Sequence, residues 1–155
     1  MYTLILRNKI PLSQNARSHR ASTPTQPPTL FEEYRDLLQR EFNMKYPNFQ
    51  TFAVDDLLYG KVIYIHKSND SHFFVRDADN ISKPLGDVVN EHVYEDDRQI
   101  RHRTASKLEA TVADIHEISI GDEEPNEGFE ELCRFLDAAN NDEQLLYVEI
   151  GNFNY

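Results

Sequence analysis

The chain has 155 residues and a hydrophobic fraction of 39%, with 9 Phe and 8 Tyr, enough for one core, so a wholly disordered chain is excluded. The single cysteine, Cys133, rules out an intramolecular disulfide and argues against a cysteine-based zinc site, and no apolar run approaches the roughly 18 residues of a membrane helix. A formal charge of −11 taken alone argues against a nucleic-acid partner, but residues 1–108 carry a net +1 and residues 109–155 a net −12, so the whole-chain value excludes nothing.

Residues 2–6 read as a short strand rich in aromatic and β-branched side chains. They are too short for a signal-peptide core and lack a small-residue cleavage site, so a cytoplasmic protein is expected. Residues 8–28 hold Pro11, Pro24, Pro27 and Pro28 beside Lys9, Arg17 and Arg20. They show no periodicity and predict a long basic loop. Thr29-Leu30-Phe31-Glu32 fits a capping box, and the helix it opens sets Phe31, Tyr34, Leu38 and Phe42 on one face before Tyr46-Pro47 ends it.

Residues 58–65 alternate as a strand, Ser68-Asn69-Asp70-Ser71 is turn chemistry, and residues 72–76 return as a second short strand. A second helix is expected over 82–91, with Pro84 in its first turn and Leu85, Val88 and Val89 on its buried side. Strands follow at 99–107 and 111–120. Phe129, Leu132, Phe135 and Leu136 mark a third helix, with Cys133 as a small packed residue within it. Residues 145–150 make a last strand. The order β-α-β-β-α-β-β-α-β predicts an α+β fold, one domain over residues 1–155 in which helices pack on a mixed β-sheet.

The chemistry concentrates after residue 76. Asp77 and Asp79 stand two apart at a predicted strand end, where alternate residues share a face. Two such carboxylates repel each other unless a cation neutralises them, and their oxygens suit a hard ion such as Mg²⁺. Asp96 and Asp97 follow a helix and a return, so a third carboxylate can reach the same end of the sheet. Lys83, one helical turn after Asp79, can counter the charge of a phosphate or a departing oxyanion. Spacing alone leaves ordinary capping and turn chemistry open, since Asp-x-Asp is frequent at strand ends.

The run Asp77-Ala78-Asp79-Asn80-Ile81-Ser82-Lys83-Pro84-Leu85-Gly86-Asp87, followed by Val93-Tyr94-Glu95-Asp96-Asp97-Arg98-Gln99-Ile100, resembles the signature of the RusA family of crossover-junction endodeoxyribonucleases. The shared pattern is D-x-D-N-x-x-K-P-x-x-D and then V-Y-x-D-D-x-Q-I. The resemblance implies a homodimeric, Mg²⁺-dependent nuclease, with Mn²⁺ as a substitute, that resolves Holliday junctions by paired nicks through in-line attack of an activated water. By position, Asp77, Asp79 and Asp97 match the metal-site aspartates, with Asp96 as neighbour and alternate ligand. Lys83 matches the lysine needed for cleavage, and Asp87 a supporting acid. Asn90-Glu91-His92 stands where relatives commonly carry an Asn-Gly turn, which alters the loop that delivers Asp97.

Other residues carry weaker signals. His66, His72, His92, His102 and His116 follow no ligand spacing. Strand alternation would put Arg101, Arg103 and Lys107 on one face, either as a track for DNA phosphates or as a solvated face with cross-strand ion pairs. Arg17 and Arg20 are candidates for a clamp on the junction. Asp122-Glu123-Glu124 with Glu127, Glu130 and Glu131 reads first as a solvated helix face and N-terminal turn. The rival function is a non-cutting acidic interaction or inhibitor protein on the same scaffold, its acidic segment mimicking DNA or binding a basic partner.

Overall fold

The computed structural model describes residues 1–7, 30–66, 92–109, 127–137 and 144–153. Along them run β1 (Tyr2–Arg7), α1 (Leu30–Lys45), β2 (Leu58–His66), a single 3-10 turn (Asp97–Gln99), β3 (Ile100–Glu109), α2 (Glu127–Asp137) and β4 (Gln144–Asn152). These are the elements expected around residues 2–6, 29–46, 58–65, 99–107, 129–136 and 145–150. The loop at 8–28, the Thr29 cap, the elements expected at 72–76, 82–91 and 111–120, and the acids Asp122-Glu123-Glu124 lie outside the described residues.

The four strands form one mixed sheet in the order β1-β4-β2-β3, with β4 antiparallel to both neighbours and β2 parallel to β3. β4 lies beyond residue 109, in the acidic third, yet it is interior to the sheet. Its run Leu145-Leu146-Tyr147-Val148-Glu149-Ile150 is buried throughout, as a strand covered on both faces requires. The negative charge of this third therefore does not mark it as an appendage.

Register sets which residues meet at each end. Leu58 pairs with both Ile100 and Asn152, and Tyr2 with Ile150, so β1, β2 and β3 all begin at one end of the sheet. A parallel pair cannot be joined by a hairpin. The chain between His66 and Ile100 must return to the end where β2 began, and it arrives there through Asp96 and Asp97.

Two helices cover opposite faces. On one, Tyr34 and Leu38 of α1 pack with Leu4, Leu6, Val62, Tyr64, Leu146 and Val148. On the other, Leu132 and Phe135 of α2 pack with Ile63, Ile65, Leu145 and Tyr147. Full burial of side chains such as Leu132 and Phe135 contributes about 1.5–3 kcal/mol each. The charges of α1 suit its dipole, with Glu32 and Glu33 in the first turn and Lys45 in the last. The Tyr46 hydroxyl closes the outer edge of β1, accepting from the Thr3 N–H at 2.9 Å and donating to the Thr3 carbonyl at 3.1 Å.

The α2 face turns polar towards the end where β2 begins. Glu149 is buried and accepts hydrogen bonds from the hydroxyls of Tyr59, at 2.6 Å, and Tyr147, with Lys61 Nζ at 3.9 Å. Burial first, and then the Glu149 carboxylate, push the Tyr147 phenol far up from its ordinary range, so it stays a donor. Glu131 on α2 is half-buried between Arg7 at 3.5 Å and Arg134 at 3.1 Å, so it serves packing rather than a free acidic face. Glu130 is exposed, as a solvated helix face predicts, and Cys133 is half-buried in α2.

Candidate functional site

The stretch from His92 to Ile100 is built from both ends inward. Val93 and Tyr94 are fully buried and join Phe42, Leu58 and Ile150 in a third apolar cluster, bordered by Tyr2, Tyr46, Phe49, Phe52 and Ile100. The aromatic rings here pack edge to face, with Tyr2 to Phe42 at 5.4 Å and Phe42 to Phe49 at 5.0 Å between centroids. His92 lies 4.9 Å from the Phe49 ring and 2.9 Å from Asn43 Oδ1, and burial lowers its pKa below the ordinary 6.5. His92 is thus packed against α1 and the loop after it.

Gln99 holds the acidic loop. Its side chain is buried, and Oε1 accepts the N–H groups of Glu95 at 2.9 Å and Asp96 at 3.1 Å. Its Nε2 donates to the Ala53 carbonyl at 2.7 Å. One amide therefore ties the loop before β3 to the loop before β2. Two further bonds tie the same loops: the Phe52 N–H donates to the Val93 carbonyl at 3.0 Å, and the Thr51 hydroxyl to the His92 carbonyl at 3.4 Å. The 53–56 turn is itself closed by the Ala53 N–H donating to Asp56 Oδ2 at 2.9 Å.

Asp96 caps the 3-10 turn. Its Oδ1 accepts the Arg98 N–H at 2.8 Å, and its carbonyl accepts the Gln99 N–H at 2.9 Å. Its Oδ2 accepts Arg98 Nε at 2.9 Å and Nη2 at 2.6 Å. Those side-chain bonds, and then the Arg98 N–H, hold the Asp96 carboxyl below the usual carboxylate range. Both Asp96 oxygens are engaged by one residue. Asp97 opens the turn on this frame, with its side chain outside the described residues.

The remaining candidates divide plainly. Asp77, Asp79, Lys83 and Asp87, and Arg17 and Arg20, lie outside the described residues. Arg101 and Arg103 are exposed and Lys107 is half-buried. A register shift between Leu58 and Tyr59 interrupts the pairing at Arg101. Arg101 has no residue opposite it, while Arg103 and Lys107 stand opposite Gly60 and Tyr64. Of the histidines, His66 is buried and His92 half-buried, while His102 is exposed and stacked 6.0 Å from Phe153. His72 and His116 lie outside the described residues. Among the described residues no group of three or more His, Cys, Asp or Glu could hold a metal ion.

Gln99 and Arg98 carry parts of this geometry that spacing did not reveal. Gln99 finds its acceptor in Ala53, far away in sequence, and the only local signal is an amide placed between acids and an apolar strand. For Arg98 the signal was stronger: a base two residues after an aspartate at a turn.

Residues 10–120 match the family model of the RusA endodeoxyribonucleases. The chain belongs to that family. Membership makes it a crossover-junction endodeoxyribonuclease, a metal-dependent Holliday junction resolvase whose substrate is branched DNA. No curated protein matches the chain. β1 and β4 both lie beyond the matched RusA residues, yet they pair with each other and β4 pairs with β2, so the matched and unmatched parts share one sheet. No helix among the described residues is long and apolar enough to cross a membrane.

Proposed function

We propose that the protein resolves Holliday junctions and related branched DNA by paired nicks, with Asp77, Asp79 and Asp97 holding a divalent cation and Lys83 assisting cleavage. The observation that carries this reading is the Asp96–Gln99 turn. Its amide clamp, cap and buried Val93-Tyr94 anchor fix the backbone of Asp97 at the end of the sheet where β2 and β3 begin. Asp77 and Asp79 fall in the segment that joins β2 to β3, and that segment ends at the same end of the sheet through Asp96 and Asp97, which supports the same reading.

The donor set fits a hard cation. Three carboxylates offer only oxygen, which suits Mg²⁺, with Mn²⁺ as a substitute. When bound, such an ion supplies charge to the phosphoryl oxygens and lowers the pKa of a water for in-line attack on the phosphodiester. Lys83 offsets the charge that develops on the leaving 3′ oxygen. Exposed Arg101 and Arg103, with Lys107 further along β3, and Arg17 and Arg20 earlier in the chain, provide cations for the DNA backbone. A homodimer carrying two such sites accounts for paired cuts on a two-fold symmetric junction.

A labelled four-way junction incubated with the protein and Mg²⁺ is expected to yield two symmetric nicked products, and none in EDTA. Junction binding without any Mg²⁺-dependent product would overturn the reading in favour of the non-cutting interaction protein.

A further inference from the structure

Arg98 is an exposed arginine held by one edge. Its side chain is 89% exposed, yet Nε and Nη2 both donate to Asp96 Oδ2, at 2.9 and 2.6 Å. A guanidinium has two edges that can each make a paired contact, and the bonds to Asp96 occupy only the Nε side. The edge formed by Nη1 and the second proton of Nη2 faces away from Asp96. The backbone beneath is equally constrained, because the Arg98 N–H is bound to Asp96 Oδ1 and the following Gln99 is clamped to two loops. Arg98 follows Asp97 directly, and exposed Arg101 and Arg103 continue the positive charge along β3.

We infer that Arg98 presents its outer edge to a phosphate of the branched DNA next to the cleavage site, and that Asp96 is the positioning residue that aims it rather than a ligand of the cation. This rests on the nuclease reading above. An anion of tetrahedral phosphate geometry suits the free edge, whereas at Asp96 three hydrogen bonds from Arg98 already take most of the carboxylate's acceptor sites and set a cationic guanidinium beside any incoming ion. The acid pair thereby divides its work. Asp97 is left as the candidate ligand, and Asp96 holds the arginine that grips the substrate.

The test uses the full chain with a catalytically silent assay beside an active one. Junction affinity is measured against salt concentration in EDTA, where no cleavage occurs. Arg98→Ala is expected to lower the salt slope by about one, the signature of one lost phosphate contact. Arg98→Lys is expected to keep the slope but to cleave more slowly, because an ammonium lacks the paired edge. Titration with Mn²⁺ alone is expected to give Asp96→Asn the wild-type affinity within about twofold, and Asp97→Asn at least a tenfold loss, in the range of a weakened metal site. The inference is overturned if wild type cuts the junction while Arg98→Ala keeps the full salt slope, or if Asp96→Asn loses Mn²⁺ as severely as Asp97→Asn. Failure of wild type to cut at all would instead remove the nuclease reading on which it rests.

Discussion

Gln99→Met isolates the amide clamp with little change in side-chain length. The wild-type side chain is buried, accepts two backbone N–H groups and donates to the carbonyls of Ala53, at 2.7 Å, and Asp56, at 3.4 Å. Ala53 keeps a second partner, since its carbonyl also accepts the Asp56 N–H at 2.9 Å, so the main loss falls on the amides of Glu95 and Asp96. At about 1–1.5 kcal/mol for each donor left without its acceptor, the variant is destabilised by roughly 2–3 kcal/mol. For a chain of this size that lowers Tm by about 4–12 °C. Urea unfolding followed by far-ultraviolet circular dichroism measures the free-energy change. Junction cleavage well below the unfolding midpoint measures the consequence for Asp97, where displacement of about 1 Å costs on the order of a hundredfold in rate.

Gln99→Glu is the companion. One carboxylate oxygen keeps the acceptor role, while the other faces the Ala53 carbonyl in place of a donor. That variant is therefore expected to be destabilised in the same unfolding assay, because a carboxylate oxygen is set against a carbonyl. A Gln99→Met variant within about 0.5 kcal/mol of wild type, cutting at the wild-type rate, would refute the clamp, given that surface changes away from such features fall in that range.

Two further outcomes follow from the packing. A Cβ added at Gly151 would lie 2.8 Å from Tyr59 Cε1 and 2.9 Å from its hydroxyl oxygen, which is tied to Glu149. Gly151→Ala is therefore expected to cost about 1–3 kcal/mol in chemical denaturation, and Tyr59→Phe in that background to recover part of it by releasing the ring. For His92, burial lowers the folded pKa below 6.5, so the unfolded chain binds the proton first. Its contribution is complete above about pH 6.5 and is lost as pH falls from there through the depressed folded value. The stability difference between wild type and His92→Gln should accordingly shrink between pH 8 and 5, and a difference independent of pH would contradict the assignment.

The helices and strands were legible where one face is apolar and the other is not. Tyr34, Leu38 and Phe42 stand four apart on α1 and all three are buried, and Leu132 and Phe135 anchor α2 in the same way. Sheet order was not legible, because the insertion of β4 between β1 and β2 rests on pairings between residues such as Ile63 and Tyr147, distant in sequence. Net charge misdirected attention in the C-terminal third. Charge counting does not distinguish a solvated acid such as Glu130 from Glu149, which is buried against two tyrosine hydroxyls. The register shift that leaves Arg101 of β3 without an opposite residue was not legible either, because it is set by the pairing with β2 and not by the local pattern.

The site was legible as a pattern of acids, and the pattern resembled the family that the chain proves to belong to. The structure adds a physical division of labour within the second half of that pattern. Val93 and Tyr94 anchor it in the core, Asp96 caps it, and Gln99 clamps it. None of these roles can be read from side-chain type, since a carboxylate that caps a turn and one that binds a cation look identical in a sequence.

The most direct measurement compares wild type with Asp77→Asn and Asp97→Asn for single-turnover cleavage of a labelled four-way junction in Mg²⁺, alongside junction affinity in EDTA. Both substitutions are expected to abolish nicking while leaving affinity within a few-fold of wild type, since each removes an anionic ligand without adding repulsion towards DNA. Nicking at an undiminished rate by either variant would contradict the account.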